Sequence, residues 1–127
     1  MANRDLKPEN MLFTTKEGGT DNRLYDRAQI TDFTTALKVP DDDAFITDSG
    51  GTKLFEAPEV QGRMFKPKPL DIWSLGVIVY TMLTGNFPFD GRTRNDIFRK
   101  ISSRKTEPIY LYFDKYQDNG ALAKSFV

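Results

Sequence analysis

The chain contains no cysteine and no histidine among its 127 residues. The lack of cysteine excludes disulfides and thiolate metal sites, and the lack of histidine excludes imidazole bases and imidazole-bound zinc. Any general base must therefore be a carboxylate, a lysine or a tyrosine. Long apolar runs are also missing, because the longest, residues 75–83, is too short to span a bilayer.

The chain also has no net charge. Lysine plus arginine and aspartate plus glutamate both number 18, so the formal net charge is zero. Nucleic-acid-binding proteins usually carry a basic excess, so we predict no nucleic-acid partner. The sequence has no evident basic helix face for a membrane surface and no signal-peptide segment at its start. We therefore expect a soluble, intracellular protein located in the cytoplasm.

The apolar pattern predicts a mainly α-helical fold with a small β-hairpin. Residues 11–15 and 28–31 favour strands, and the polar residues 16–22 between them favour a turn. Residues 71–83 form the strongest helical signal, and their apolar side chains fall on almost every side, which predicts a helix buried all round. A second helix is expected at about 94–103, where three apolar side chains share a face.

The ends of the first helix carry their own signals. Asp71 stands at the predicted start, where an acid can cap free amides and suits the helix dipole. Gly85 is typical of a helix C-terminus. The apolar side chains expected in the core are Trp73, Leu75, Ile78 and Leu83.

Three motifs occur in a fixed order along the chain. Residues 4–10, Arg-Asp-Leu-Lys-Pro-Glu-Asn, resemble the catalytic loop H-R-D-L-x-x-x-N of eukaryotic-type Ser/Thr protein kinases in all but its histidine. Residues 32–34, Asp-Phe-Thr, are similar to the D-F-G motif, and residues 57–59 match A-P-E. The resemblance extends over about residues 3–103, and four consecutive helix-start residues, 70–73, look loosely like those of calmodulin-regulated kinase kinases.

This resemblance implies a fold and a domain organisation. Residues 1–127 would form a partial protein kinase domain, an incomplete α+β kinase fold with a C-lobe and without the N-lobe that grips ATP. Its parts would be the catalytic loop at 3–10, the activation segment at 32–59, the buried helix at 71–83 and the following helix at about 94–103. The Gly-rich loop and the V-A-I-K lysine of the family are not in the sequence.

The resemblance also assigns chemistry to four residues, with ATP and Mg²⁺ as cofactors and a protein as substrate. Asp5 would accept or orient the proton of the substrate hydroxyl, and Lys7 would steady the γ-phosphate, as in Ser/Thr kinases. Asn10 and Asp32 would supply oxygen ligands to Mg²⁺. These assignments make Asp5, Lys7 and Asn10 catalytic, and they make Lys7, Asn10 and Asp32 the ATP–metal site.

Five further residues are implied as regulatory or positioning groups. Arg4 would bind a phosphate or acid of the activation segment, and we hypothesise that Asp48 is its permanent partner. Thr52 would hydrogen-bond the catalytic aspartate and lysine. Asp71 would fasten the catalytic loop, and Glu59 would pair with an arginine that the chain lacks in the expected place.

Alternatives remain open at several of these positions. Asp48 is also readable as a solvated loop acid, with Thr47 or Ser49 as the phosphorylation site instead. Asn3 replaces the loop histidine, and Thr34 replaces the hinge glycine of D-F-G, where a β-branched residue would stiffen the backbone.

Three functions follow from these residues. The first is a Ser/Thr kinase catalytic segment, inactive by itself and active when an N-lobe completes it; a separate N-lobe or a regulatory protein is then a partner. The second is a non-catalytic, pseudokinase-like interaction module, which the departures from the family pattern favour. The third is an unrelated helical interaction domain.

Overall fold

A computed structural model describes residues 1–14, 27–41 and 44–103 of the chain. The predicted turn at 16–22 and the tail from Thr106 lie outside the described residues. The chain divides into two compact units, Met1–Leu75 and a second that begins at Gly76.

A two-stranded antiparallel sheet follows the first motif. Strand β1, Met11–Thr14, pairs with strand β2, Arg27–Ile30, so that Met11 lies opposite Ile30. This confirms the small hairpin in the predicted fold, with β2 one residue earlier than expected. The sheet places the catalytic-loop motif before β1 and the Asp-Phe-Thr motif after β2, at the same end of the hairpin.

Two α-helices lie in the C-terminal half of the described chain. Helix α1 spans Pro67–Thr84 and helix α2 spans Arg94–Ser103. Helix α1 begins four residues earlier than predicted, because proline suits the first turn of a helix, where no amide partner is needed. Gly85 follows α1 with a φ of 72°, and its amide donates to Thr81 O, as a glycine C-terminus requires. Neither helix is long and apolar enough to cross a membrane.

The prediction that the first helix is buried all round is wrong. A stripe of side chains along α1 is exposed; its members are Ile72, Leu75, Val79, Met82 and Leu83. Ile78 is buried and Trp73 is partly buried, as predicted. Leu75 and Leu83, which were also predicted to lie in the core, are exposed. An apolar helix needs neighbours on every side to be buried on every side, and among the described residues α1 has them along one flank.

A small core fixes the chain around the third motif in the first unit. Ala57, Phe65 and Leu70 are buried together, and partly buried apolar side chains pack against them: Ile46, Val60 and Trp73. The A-P-E residues themselves lie at a 3-10 turn, Pro58–Gln61, where the proline favoured a short helix. The core therefore joins the activation segment to the start of α1. In the second unit, α2 buries the three residues of its predicted apolar face, Ile97, Phe98 and Ile101.

Candidate active site

The backbone of the catalytic-loop motif is fastened by Asp71. Its two carboxylate oxygens accept hydrogen bonds from the amides of Asn3 and Arg4, each at 2.8 Å. Arg4 has a φ of 71°, a left-handed conformation that costs a non-glycine residue roughly 1–3 kcal/mol and clusters at functional sites. Because α1 starts at Pro67, Asp71 lies beyond its first residues and serves this loop; the expectation of a helix-start cap at Asp71 is corrected.

Asp5, Lys7 and Thr52 form a closed triangle of side chains. Lys7 Nζ lies 2.8 Å from Asp5 Oδ2, and the Thr52 hydroxyl donates to Asp5 Oδ1 at 2.7 Å. Lys7 also donates to Thr52 Oγ1 at 3.1 Å. The hydrogen bond to Asp5 raises the pKa of Lys7, so the ammonium stays charged. Both carboxylate oxygens of Asp5 are thus held in place while its side chain remains 12% exposed.

Asn10 is buried beneath the same loop, at the end of the 3-10 turn Pro8–Asn10. Its side-chain nitrogen donates to Asp5 O at 3.0 Å, and its main-chain carbonyl accepts from the Thr31 amide at 2.8 Å. The first contact fixes the side-chain amide of Asn10 through its nitrogen, so its oxygen, Oδ1, takes no part in that hydrogen bond. The second ties the loop to the residue that precedes Asp32.

Asp32 follows β2 in a left-handed conformation, with a φ of 57°. Its Oδ1 accepts from both the hydroxyl of Thr34, at 2.6 Å, and the amide of Thr34, at 3.1 Å. These two hydrogen bonds lower the pKa of Asp32, and the charge of Lys7 lowers it further. The carboxylate is therefore ionised, and both hydrogen bonds from Thr34 reach Oδ1 rather than Oδ2.

Asn3 connects the two acidic residues of the site. Its Nδ2 donates to Asp32 O at 3.2 Å, and its Oδ1 accepts from the Asp5 amide at 3.1 Å. The side chain is buried, with 6% of its surface exposed. Asparagine thus makes the brace to the Asp32 segment that the resemblance assigns to a histidine, and it adds a bond to Asp5.

The oxygen donors of the site bear on whether it can hold a metal ion. The described ranges contain no group of three or more His, Cys, Asp or Glu side chains suited to a metal. Asn10 and Asp32 nevertheless fit Mg²⁺, because this ion accepts one or two protein oxygens and keeps its waters and phosphate oxygens. The turned amide of Asn10 and Oδ2 of Asp32 could provide those two oxygens.

The contact expected between Arg4 and the Asp48 carboxylate is corrected by the structure. Arg4 donates through Nη1 to the main-chain carbonyl of Asp48 at 2.8 Å, and through Nε to Thr35 O at 2.6 Å. The carboxylate of Asp48 instead accepts from the Gly50 amide at 3.1 Å, a local turn that aspartate commonly forms. Glu59 is exposed on its 3-10 turn.

Sequence reasoning missed one residue beside this site. Glu56 is buried, with 5% of its surface exposed, and it accepts a hydrogen bond from the Ser49 hydroxyl at 2.9 Å. The signal in the sequence that could have indicated its burial was its position between two apolar residues, Phe55 and Ala57, directly before the Pro-Glu pair. A charge in such a position is rarely buried without a hydrogen-bonding partner.

Comparison with known proteins shows the family to which the chain belongs. The protein kinase domain family matches residues 1–125. The chain is 41% identical to CDPK-related kinase 3 of Arabidopsis thaliana over 87% of its length, which is 17% of that relative. It is 36% identical to serine/threonine-protein kinase H1 of Mus musculus, and 32% identical to a calcium/calmodulin-dependent protein kinase of Metarhizium anisopliae. Both of these alignments cover all of the chain, and 28% and 31% of the relatives.

The chain belongs to the eukaryotic-type Ser/Thr protein kinase family. It spans less than a third of the length of each of these relatives. The family is one of phosphoryl transferases, and ATP binding is typical of it.

Proposed function

We propose that this chain is the C-lobe catalytic segment of a Ser/Thr protein kinase, and that it transfers the γ-phosphate of ATP to protein Ser or Thr hydroxyls once an N-lobe completes it. The observation that carries the proposal is the Asp5 carboxylate, held by Lys7 and Thr52 and linked through Asn3 to Asp32. Positioning and charge stabilisation supply most of the catalysis of phosphoryl transfer, and this arrangement supplies both.

Each residue of the site has a role in the proposed reaction. Asp5 receives the proton of the attacking hydroxyl on its carboxylate, and Lys7 neutralises charge on the γ-phosphate. Asn10 and Asp32 hold Mg²⁺, which, when bound, neutralises charge on the ATP phosphates. Thr52 keeps the Asp5 carboxylate turned towards the substrate hydroxyl.

The surrounding groups complete the proposal. Asp71 fixes the loop backbone, and Arg4 holds the activation segment by the Asp48 carbonyl. Glu59 is available for an arginine from another part of a complete domain. The partners proposed are a protein substrate, ATP and either a separate N-lobe or a regulatory protein, in the cytoplasm. Because one relative is named as calcium/calmodulin-dependent, we include a calmodulin-linked regulator in the proposal.

The test compares the chain alone with a fusion in which the N-lobe of mouse serine/threonine-protein kinase H1 precedes Met1. We expect no phosphate transfer from Mg-ATP by the chain alone, and transfer to a Ser/Thr peptide library by the fusion. Asp5→Asn in the fusion should lower kcat at least about 100-fold, because a positioned general base contributes roughly 10²–10⁴. The matched control, Asp90→Asn, changes an exposed acid of the second unit and should leave kcat unchanged.

A second function, a non-catalytic pseudokinase-like module, is favoured by one contact. The Thr34 hydroxyl and amide both occupy Oδ1 of the Asp32 carboxylate, so a cation has fewer free lone pairs there. A folded fusion that transfers no phosphate, and whose binding of ATP in calorimetry does not depend on Mg²⁺, would support this function and refute the catalytic one.

A further inference from the structure

Glu56 is a buried acid that the proposed reaction does not use. Only 5% of its surface is exposed, and Oε1 accepts the Ser49 hydroxyl at 2.9 Å. Burial of a carboxylate is costly unless hydrogen bonds compensate for lost water. A buried carboxylate is therefore held by its contacts, and the Ser49 hydroxyl is one of them.

The bond between Ser49 and Glu56 closes a short loop around the segment that carries Thr52. Within this loop, a Cβ placed on Gly51 would lie 2.8 Å from Arg4 O and 3.7 Å from Glu56 Cγ. The backbone of the catalytic loop and the Glu56 side chain thus both lie next to Gly51. Since real Cβ atoms do not approach backbone oxygen this closely, the contact requires glycine.

The rest of the loop is anchored at both ends. Gly50 donates to Asp48 Oδ1 at 3.1 Å on the N-terminal side. On the C-terminal side, the Phe55 amide donates to Thr52 O at 2.9 Å, and Phe55 O accepts from the Ser74 hydroxyl at 2.8 Å. The Ser49–Glu56 bond joins these two anchored ends across the segment that they flank.

We propose that Ser49 and Glu56 are positioning residues, whose bond presses Gly51 against the catalytic loop and so presents the Thr52 hydroxyl to Asp5 and Lys7. The role in phosphoryl transfer rests on the proposed function, whereas the mechanical role in the loop does not. Phosphorylation of Ser49 would set a dianion against a buried carboxylate, so modification there releases Thr52 and opposes activity.

The first experiment measures amide hydrogen exchange in the 127-residue chain by NMR. Ser49→Ala and Glu56→Met both remove the bond, and we expect exchange at the Phe55 amide to rise about five- to tenfold, as for one lost hydrogen bond. The Ile46 amide, which donates to Phe65 O in the same unit, should change less than about twofold. The control Ser102→Ala removes an exposed hydroxyl on α2 and should change neither amide.

Two further variants separate positioning from general destabilisation. Glu56→Gln keeps an acceptor oxygen of the same reach and should restore slow exchange at Phe55, and the double variant of Ser49→Ala with Glu56→Met should exceed neither single variant. Equal acceleration at Phe55 and Ile46, or no acceleration in Ser49→Ala, would overturn the proposal. If Glu56→Met does not fold, Ser49→Ala alone decides the matter.

The catalytic part is tested in the N-lobe fusion. Ser49→Ala should lower kcat severalfold and leave the KM for ATP unchanged, because Thr52 acts on Asp5 and is not proposed to bind the nucleotide. An unchanged kcat would refute the role in catalysis. A parent fusion without transferase activity would refute the proposed function instead, and the exchange data would still decide whether the bond positions the Thr52 segment.

Discussion

The side-chain amide of Asn3 donates a 3.2 Å hydrogen bond to the main-chain carbonyl of Asp32, 29 residues along the chain. The same side chain accepts the Asp5 amide through Oδ1. One buried asparagine thus sets the separation between the proposed proton acceptor and the proposed metal ligand. Two bonds from one short, rigid amide fix both position and rotation.

The first prediction concerns Asn3→Ala. It leaves the Asp5 amide and the Asp32 carbonyl without their partner in a partly buried place, so the free energy of unfolding should fall by about 1–3 kcal/mol. Urea denaturation with an unchanged m-value measures this loss. The control is Asn95→Ala, which removes an exposed amide on α2. A loss no greater than that of the control would show that Asn3 does not brace the site.

The second prediction concerns Asp71→Ala. Two amides, those of Asn3 and Arg4, lose a charged acceptor, and hydrogen bonds to charged groups contribute about 1.5–3 kcal/mol each. We expect the free energy of unfolding to fall by at least about 1.5 kcal/mol. The strained φ of Arg4 should also relax, which would appear as large amide shift changes at residues 3–5 in NMR spectra.

Two variants control this experiment. Asp71→Asn keeps one acceptor oxygen and should lose less stability than Asp71→Ala. Asp90→Ala removes an exposed acid that pairs with Lys100, and exposed pairs contribute little. Equal effects of Asp71→Ala and Asp90→Ala would mean that the loop is held by other contacts.

Much of the site could be predicted from the sequence because its motifs resemble those of a known family, in which these residue types occur at fixed spacings. A loop that carries Asp5, Lys7 and Asn10 presents all three within eight residues, and a hairpin returns the chain to Asp32. The α2 face was predictable for a related reason, since a period of 3.6 residues is read directly from the positions of apolar side chains.

Other features depend on contacts that no local pattern encodes. The hydrogen bond between Ser49 and Glu56 depends on how the activation segment lies against the catalytic loop. The hydrogen bond from Arg4 to the main-chain carbonyl of Asp48 depends on the same placement. The exposed stripe of α1 was missed because hydrophobicity predicts a preference for burial and does not supply the neighbouring residues. The hairpin and the second helix were therefore easier to predict than the partners of single side chains.

The third prediction is a pH dependence at Asp32. The Thr34 hydroxyl bond lowers the pKa of this carboxyl below its ordinary value of 3.8. A group with a lowered folded-state pKa contributes stability above its unfolded pKa, and the contribution is lost as the pH falls through the folded value. Thr34→Val keeps the shape and removes the hydroxyl, so the pKa of Asp32 should rise towards its unfolded value, and the stability lost on acidification should become smaller and be complete at a higher pH.

Carboxyl carbon NMR titration, from about pH 2 to about pH 6, measures this shift. Thr34→Ser retains the hydroxyl and should keep the pKa of Asp32 low. Asp96, whose pKa is lowered by Thr93, is an internal reference that should not move. If the Asp32 titration is identical in Thr34→Val and in the parent chain, the Thr34 hydroxyl does not lower the pKa of Asp32.

The fourth prediction contrasts two glycines. At Gly51 a Cβ would stand 2.8 Å from Arg4 O, whereas at Gly76, inside α1, it would meet nothing within 4 Å. Gly51→Ala should therefore lower the free energy of unfolding by about 1–3 kcal/mol, as overpacking does. Gly76→Ala should raise it by about 0.5–1 kcal/mol, because alanine is the better helix former.

Urea denaturation of both variants gives two changes of opposite sign from one kind of substitution, so a general effect of added methyl groups cannot produce the result. The NMR signals of Thr52 and Asp5 should shift in Gly51→Ala, since the displaced backbone carries the Thr52 hydroxyl away from the carboxylate that now lies 2.7 Å from it. They should stay in place in Gly76→Ala. If Gly51→Ala is neutral and leaves those signals unchanged, the activation segment does not rest on the catalytic loop, and Thr52 is not held against Asp5 by this contact.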